Sequence, residues 1–292
     1  MKRILMIILF AGMAFLYAQN YEYKIIESIT EEEITLFELA EKALSYDVVF
    51  FGELHENELL HHLEFELLKE MQAKYSDLIV SMEMFERDVQ PVVDEYLAGK
   101  MSEEEFMLAS RAWSNYLPDY KPIVDFAKKH QLTLVAANIP RRYAAMINKK
   151  GINALDSLPA EEKKYVAKKH KVFDDEYKRR FVSMMEENLA HIPDNPMGMK
   201  MDVELLYAAQ CIKDDTMAES ILKYQRFLPR KKVLHFNGDF HSRKHLGTAQ
   251  KLQIMEPMLH IAVITPIVSN SELTYSKEDL QEGDFLIVMT EE

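Results

Sequence analysis

The chain has 292 residues, with 35 Lys plus Arg against 48 Asp plus Glu, a formal charge of −13. So acidic a chain is a poor binder of nucleic acid or of an anionic membrane through its overall field. A single Cys211 excludes an internal disulfide framework and any Cys-rich zinc or iron–sulfur centre. Hydrophobic residues at 48%, with only 8 Gly and 10 Pro, describe a packed globular core and not a disordered chain.

In chain order, the first 18 residues read as an export signal peptide. Lys2 and Arg3 precede an apolar run from Ile4 to Phe15, and Ala18 offers a small residue before a cut. The run is too short for a comfortable membrane span. No Cys follows it, so membrane association through a lipidated Cys is not expected. Residues 19–292 are then expected to form one exported domain, periplasmic or in the cell envelope. Without Lys2 and Arg3 the count is 33 basic against 48 acidic, a charge of −15.

Short apolar runs then alternate with helical stretches. Residues 47–52, 77–83, 131–138, 232–238 and 260–266 read as strands, and 284–289 as a last strand at the sheet edge. The runs are near-continuous, which suits strands covered on both faces. Helical patterns between them predict an α/β fold: a parallel-rich central sheet flanked by helices, with an extra C-terminal strand. Asn57 is a good N-cap for a helix carrying Leu60, Leu63, Leu67 and Met71. Ser102 and Glu105 have capping-box spacing. Residues 141–226 contain no convincing strand and read as a helical insertion or lid. Within them, residues 141–180 carry 12 Lys plus Arg against 6 Asp plus Glu, a local excess of +6 in an acidic chain. Such a region could meet the carboxylates of a ligand, or be an ordinary solvated helix surface.

Two strands end in the same pattern. Gly52-Glu53-Leu54-His55 follows the first and Gly238-Asp239-Phe240-His241 the fourth; each is Gly, acid, apolar residue, His. In an open parallel sheet, ligands bind at the carboxyl ends of strands, and Gly there lets the backbone approach closely. The second strand also ends in acids, Glu83 and Glu86. His55, Glu53, Glu83 and His241 are therefore candidate ligands for a divalent metal ion. His62 lies seven residues after His55, about two helical turns, and could face the same rim; a solvated face is the alternative. Trp113, Tyr116 and Tyr120 are either core or the lining of a pocket for a flat ligand, tyrosinate being a known haem-iron ligand. Arg141, after the third strand, suits a carboxylate or phosphate. No G-x-S-x-G, P-loop or G-x-G-x-x-G occurs, and Cys211 has no obvious base beside it.

Together these residues resemble a known family. Gly52-Glu53-Leu54-His55-Glu56-Asn57 with His61-His62, Glu83-Met84-Phe85-Glu86-Arg87 with Gln90, and Asp94-Glu95-Tyr96-Leu97-Ala98-Gly99 are similar to the motifs of ChaN-like proteins, the haem-binding uptake group of the Tiki superfamily. So are Trp113, Tyr120-Lys121-Pro122, Asn138-Ile139-Pro140-Arg141, Asp215-Thr216-Met217-Ala218-Glu219, Gly238-Asp239-Phe240-His241 and Gly247, in that order. The resemblance implies an α/β domain with a helical lid, export, and a role in haem or iron uptake. It also implies a homodimer holding two haems face to face, each iron bound by a Tyr, with His and Lys of the partner on the propionates. Tyr120 and Tyr143 are the candidates for that Tyr, with His62, Arg141 and Trp113 as further haem contacts. The chain departs from the lipoprotein form because it lacks the lipidated Cys.

The wider superfamily includes metal-dependent proteases and erythromycin-esterase-like hydrolases that share the G-x-x-H elements. Two functions stay open on the sequence. One is a haem-binding module. The other is a metal-dependent hydrolase, with Glu86 or Asp239 as general base beside a metal-activated water.

Overall fold

The apolar runs of the sequence become the strands of one sheet. A computed structural model describes residues 22–190, 202–228 and 231–291; the export signal expected at residues 1–18 lies outside the described residues. A hairpin comes first, β1 (Tyr23–Glu27) and β2 (Glu32–Ile34), then α1 (Leu36–Ala43), started by a capping box between Thr35 and Glu38. β3 (Val48–Glu53), α2 (Glu58–Lys74) and β4 (Leu78–Glu86) form the first parallel crossover. Asn57 caps α2 by accepting from the Leu60 amide at 2.9 Å. Helices α3 (Gln90–Leu97), α4 (Glu103–Ser110) and α5 (Lys121–His130) lead to β5 (Thr133–Asn138). Ser102 and Glu105 do form the expected capping box at α4.

Helices α6 (Arg141–Lys150), α7 (Ala160–Lys163), α8 (Glu176–Ala190) and α9 (Val203–Phe227) follow. β6 (Lys232–Gly238), α10 (Gly247–Met255), β7 (Ile261–Ser269) and β8 (Phe285–Thr290) complete the chain. Among the described residues no helix is long and apolar enough to cross a membrane.

The sheet order is β2-β1-β8-β7-β3-β6-β4-β5. From β8 to β5 every pairing is parallel, while β1 is antiparallel to both of its neighbours. The strand at 284–289 is therefore not at the edge: β1 and β2 extend the sheet beyond it. The hairpin escaped the sequence reading because β2 is only three residues, Glu-Glu-Ile, with no apolar run.

Both faces of the parallel part are covered. Val49 and Phe51 of β3 pack with Leu60, Leu63, Leu67, Ile123 and Val124 on one side. Val48 and Phe50 pack with Met217, Ala218, Ile221 and Leu252 on the other. Alternate residues serve opposite cores, so the strand has no polar face, and each fully buried side chain of this size contributes about 1.5–3 kcal/mol. Helix α9 is thus a core layer, and only part of the 141–226 stretch lies outside the two-faced sandwich. At the edge strand β5, the Gln90 side chain accepts from the Ala136 amide at 2.8 Å and donates to the Leu134 carbonyl at 2.8 Å. It satisfies backbone groups that an edge would otherwise leave unpaired.

Candidate functional site

The two G-x-x-H motifs end adjacent parallel strands, with Glu53 of β3 in register with Gly238 of β6. Each glycine makes room for the other motif. A Cβ on Gly238 would meet His55 Cε1 and Nε2 at 2.8 Å, and one on Gly52 would collide with the Asp239 side chain. The repeated pattern is therefore one interlocked turn pair, with glycine where the backbones carry the partner's side chains.

Glu83, at the end of β4, completes this rim. Its Oε2 accepts the Gly238 amide at 2.8 Å, and its Oε1 lies 3.2 Å from His241 Nε2. Asp214 of α9 holds the other face of the ring, with Oδ1 2.6 Å from His241 Nδ1. Thr248 donates to the same oxygen and Tyr177 to Oδ2, each at 2.8 Å. Burial disfavours charge on His241, but Glu83 and Asp214 outweigh it and push the imidazole up to about 9. In turn, burial would raise the Glu83 carboxyl, yet His241 and then His55 hold it well below the usual carboxylate range. The two acids thus favour the protonated form of the ring that lies between them.

Beneath His55 lies a second polar group. Glu53, fully buried, has Oε1 2.6 Å from His55 Nδ1 and accepts from the Tyr120 hydroxyl at 2.7 Å. Burial, the partner carboxylate Glu53 and its hydrogen bond all raise the phenol of Tyr120, far from a tyrosinate. A π-turn over Tyr116–Tyr120 places that ring, and it packs edge-on against Trp113 with centroids 6.0 Å apart. On the inner side of Glu53 stand His61 and Glu64 of α2, both buried. Burial and then Glu53 push the Glu64 carboxyl well above the ordinary range.

Above the rim opens a cavity of about 1340 Å³, larger than the roughly 300–1,000 Å³ of common small-molecule pockets. Its floor is Glu53, His55, Glu83, Gly238, Asp239 and His241; its walls include Phe181, Met184 and Met185 of α8, Leu206 and Ala209 of α9, and Ala144 and Ala145 of α6. Trp113, Arg141, Arg180, Lys213 and Arg243 also line it. The His55 ring, 45% exposed, stands edge-on to Trp113 at 5.1 Å, and the Arg141 guanidinium lies over the same indole at 5.5 Å. Arg180 and Arg243 are already paired with Glu282, at 2.6 Å each.

The sequence candidates divide accordingly. His55, Glu53, Glu83, His241, Trp113, Arg141 and Asp239 all reach the cavity. The first four do not converge as one chelating set. Among the described residues, the trio with candidate ligand atoms all within 4.8 Å of one another is Glu53, His61 and Glu64. His62 is exposed on α2 and does not line the cavity; its neighbour His61 turns inward instead. Neither Tyr120 nor Tyr143 lines it either. Tyr143 donates to Glu162 at 2.7 Å and accepts from Arg142 at 2.9 Å, and burial pushes its phenol up to about 12. Glu86 accepts from Arg111 at 2.7 Å. Asp239 accepts from Thr265 at 2.5 Å and from Arg243 at 3.2 Å, and burial pushes it up to about 6.

Sequence reasoning missed Asp214, Tyr177, Gln210 and Glu64. Asp214 sits on the buried stripe of α9, three and seven residues before the core residues Met217 and Ile221. An acid on an apolar helical stripe was the available signal. Glu64 sits the same way between Leu60 and Leu67–Leu68 on α2.

With this geometry established, comparison places the chain among known proteins. The family model described as haem-binding uptake, Tiki superfamily, ChaN matches residues 39–252. No curated protein matches the chain. Among solved structures, ChaN of Campylobacter jejuni, described with cofacial haem binding, is similar over 93% of this chain and 98% of its own, at 18% identity and TM-score 0.71. An erythromycin esterase mutant in its open conformation covers 92% of this chain and 83% of its own at 11% identity, with TM-score 0.46. The type III effector HopBA1 covers 94% of this chain and 98% of its own at 10% identity, with TM-score 0.45.

Proposed function

The chain belongs to the haem-binding uptake (ChaN) family of the Tiki superfamily, and we propose that it is an exported protein that binds haem in the cavity above β3 and β6. Its role on this reading is haem or iron uptake. The make-up of the cavity wall is the observation that carries it. Phe181, Met184, Met185, Leu206 and Ala209 give an apolar surface for a porphyrin. Arg141, with a side chain 68% exposed and 3.6 Å from Glu86, and Lys213 are the cations offered to propionates.

When bound, haem would bring an iron able to take a protein ligand and two propionate carboxylates. On this chain's side, His55 is the imidazole at the wall. Its Nδ1 is held by Glu53, which orients the ring; burial lowers the imidazole, but Glu53 and Glu83 outweigh it, so Nε2 would bind iron on losing its proton. Tyr120 and Tyr143 are hydrogen-bonded away from the wall as phenols, so we assign the iron contact to His55. A second copy of the chain would stack its haem on the first, a reading supported by the similarity to a protein that binds haem cofacially.

Adding haem to the purified chain should produce a saturable Soret band at about one haem per chain, and His55→Ala should shift that band. Haem that washes off, or an unchanged spectrum in His55→Ala, would remove the assignment.

The second reading, a metal-dependent hydrolase, is favoured by the position of both G-x-x-H motifs and Glu83 on one rim of the cavity. Its proposed bases fit less well, because Glu86 is held by Arg111 and Asp239 by Thr265 and Arg243. Both ring nitrogens of His241 already face a carboxylate oxygen, Nδ1 that of Asp214 and Nε2 that of Glu83.

A further inference from the structure

Beneath the cavity, Glu53, His61 and Glu64 face one another, one imidazole and two carboxyl groups, all buried. We propose that these three side chains form a buried divalent-cation site, beneath the haem cavity and sharing Glu53 with its floor, that ties the end of β3 to the first turns of α2.

The orientation of His61 follows from its neighbours. Its Nε2 lies 3.1 Å from the His55 carbonyl oxygen and 3.6 Å from an Asp119 carboxylate oxygen, both acceptors. The carbonyl holds the ring so that Nδ1 is turned inward, the arrangement by which a backbone carbonyl orients a metal-binding histidine. Nδ1 faces Glu64 Oε2 at 2.9 Å and Glu53 Oε2 at 3.6 Å. Glu53 Oε2 and Glu64 Oε1 are fully buried and have no hydrogen-bond partner. One proton between Nδ1 and Glu64 would leave both of those oxygens unpaired, at a cost of roughly 1–3 kcal/mol each.

A divalent cation satisfies all three groups at once and neutralises both carboxylates. Metal–ligand bonds of about 2.0–2.2 Å put donor atoms roughly 3–3.5 Å apart; His61 Nδ1 lies 2.9 Å from Glu64 Oε2 and 3.6 Å from Glu53 Oε2, and the three groups offer ligand atoms all within 4.8 Å of one another. One imidazole and two carboxylates without thiolate suit a cation of borderline class such as zinc. The haem cavity engages Glu53 through its other oxygen, by way of His55, so neither site requires the other to be filled.

The full chain, purified without chelator, incubated with zinc chloride and desalted, should retain about one zinc per chain by mass spectrometry. Zinc is counted separately from haem iron, so this result does not depend on haem binding. Glu64→Gln and His61→Gln should each weaken zinc binding by at least about tenfold while circular dichroism shows an intact fold. His241→Gln should keep the zinc. A wild-type chain that holds no zinc would overturn the proposal, as would loss of zinc in His241→Gln with retention in Glu64→Gln. A protonated-carboxyl infrared band in zinc-treated wild type, removed by Glu64→Gln, would assign a shared proton in place of the ion.

Discussion

Gly238 gives His55 its place: a Cβ on the glycine would meet the imidazole at 2.8 Å, closer than real Cβ contacts come. The reciprocal contact runs from Gly52 to Asp239. The strand-end pattern is thus a packing device as much as a chemical one, because each motif is the floor on which the other's side chain rests. Gly238→Ala should push His55 off the rim and cost about 1–3 kcal/mol by overpacking. Haem titration should then show the weakened binding of a displaced imidazole, and thermal melting a lower midpoint. Normal haem affinity in a folded Gly238→Ala protein would show that His55 need not sit where it does.

His241 makes stability depend on pH in the alkaline direction. Its folded value, pushed up to about 9, exceeds the ordinary 6.5. A group raised in this way gives its full contribution below the unfolded value, and loses it as pH rises through the folded one. Denaturant midpoints should therefore fall between about pH 6.5 and pH 9, by an amount on the order of 1–3 kcal/mol. His241→Gln should flatten that part of the curve. The same slope in the variant would mean that another group carries it.

Asp214 is the buried anchor of the same cluster, taking hydrogen bonds from His241, Tyr177 and Thr248. Replacing it with Ala leaves three buried polar groups short of a partner. The expected loss is about 3–5 kcal/mol, the usual cost of breaking a buried charge pair from one side. A chemical denaturation series would read it directly; a loss below about 1 kcal/mol would place the cluster in contact with water.

Cys211 should be silent to thiol reagents in the native chain. It is 1% exposed, and burial pushes its thiol up to about 12, so neither access nor thiolate is provided. Labelling should appear only with denaturant, in step with unfolding. Rapid labelling of the folded protein would show that α9 opens locally beside the cavity.

Much of this was legible in the sequence, for identifiable reasons. The six parallel strands were visible because burial on both faces makes their runs continuously apolar, as Val48 to Phe51 illustrates. The short hairpin β1–β2 carried no such signal. The G-x-x-H pair was legible as a pattern, but its interlock depends on β3 and β6 being neighbours although they are far apart in the chain. Counting turns from His55 pointed to His62, yet the turn before Glu58 rotates α2 so that His61 faces Glu53. Tyr120 and Tyr143 came from the resemblance, and neither lines the cavity: the phenol of Tyr120 is turned to Glu53 and that of Tyr143 to Glu162. Asp214 and Glu64 were hidden because an acid on a helix reads as solvated until its face is known to be buried.

The most direct test of haem binding in this cavity is a haem titration of the wild-type chain beside Ala145→Trp. Ala145 is exposed on α6 and lines the cavity mouth, so an indole there fills the space with little strain on the core. The account predicts about one haem per wild-type chain, and affinity at least about tenfold lower in a variant of unchanged melting temperature. Equal affinity in the two proteins would place haem elsewhere and contradict it.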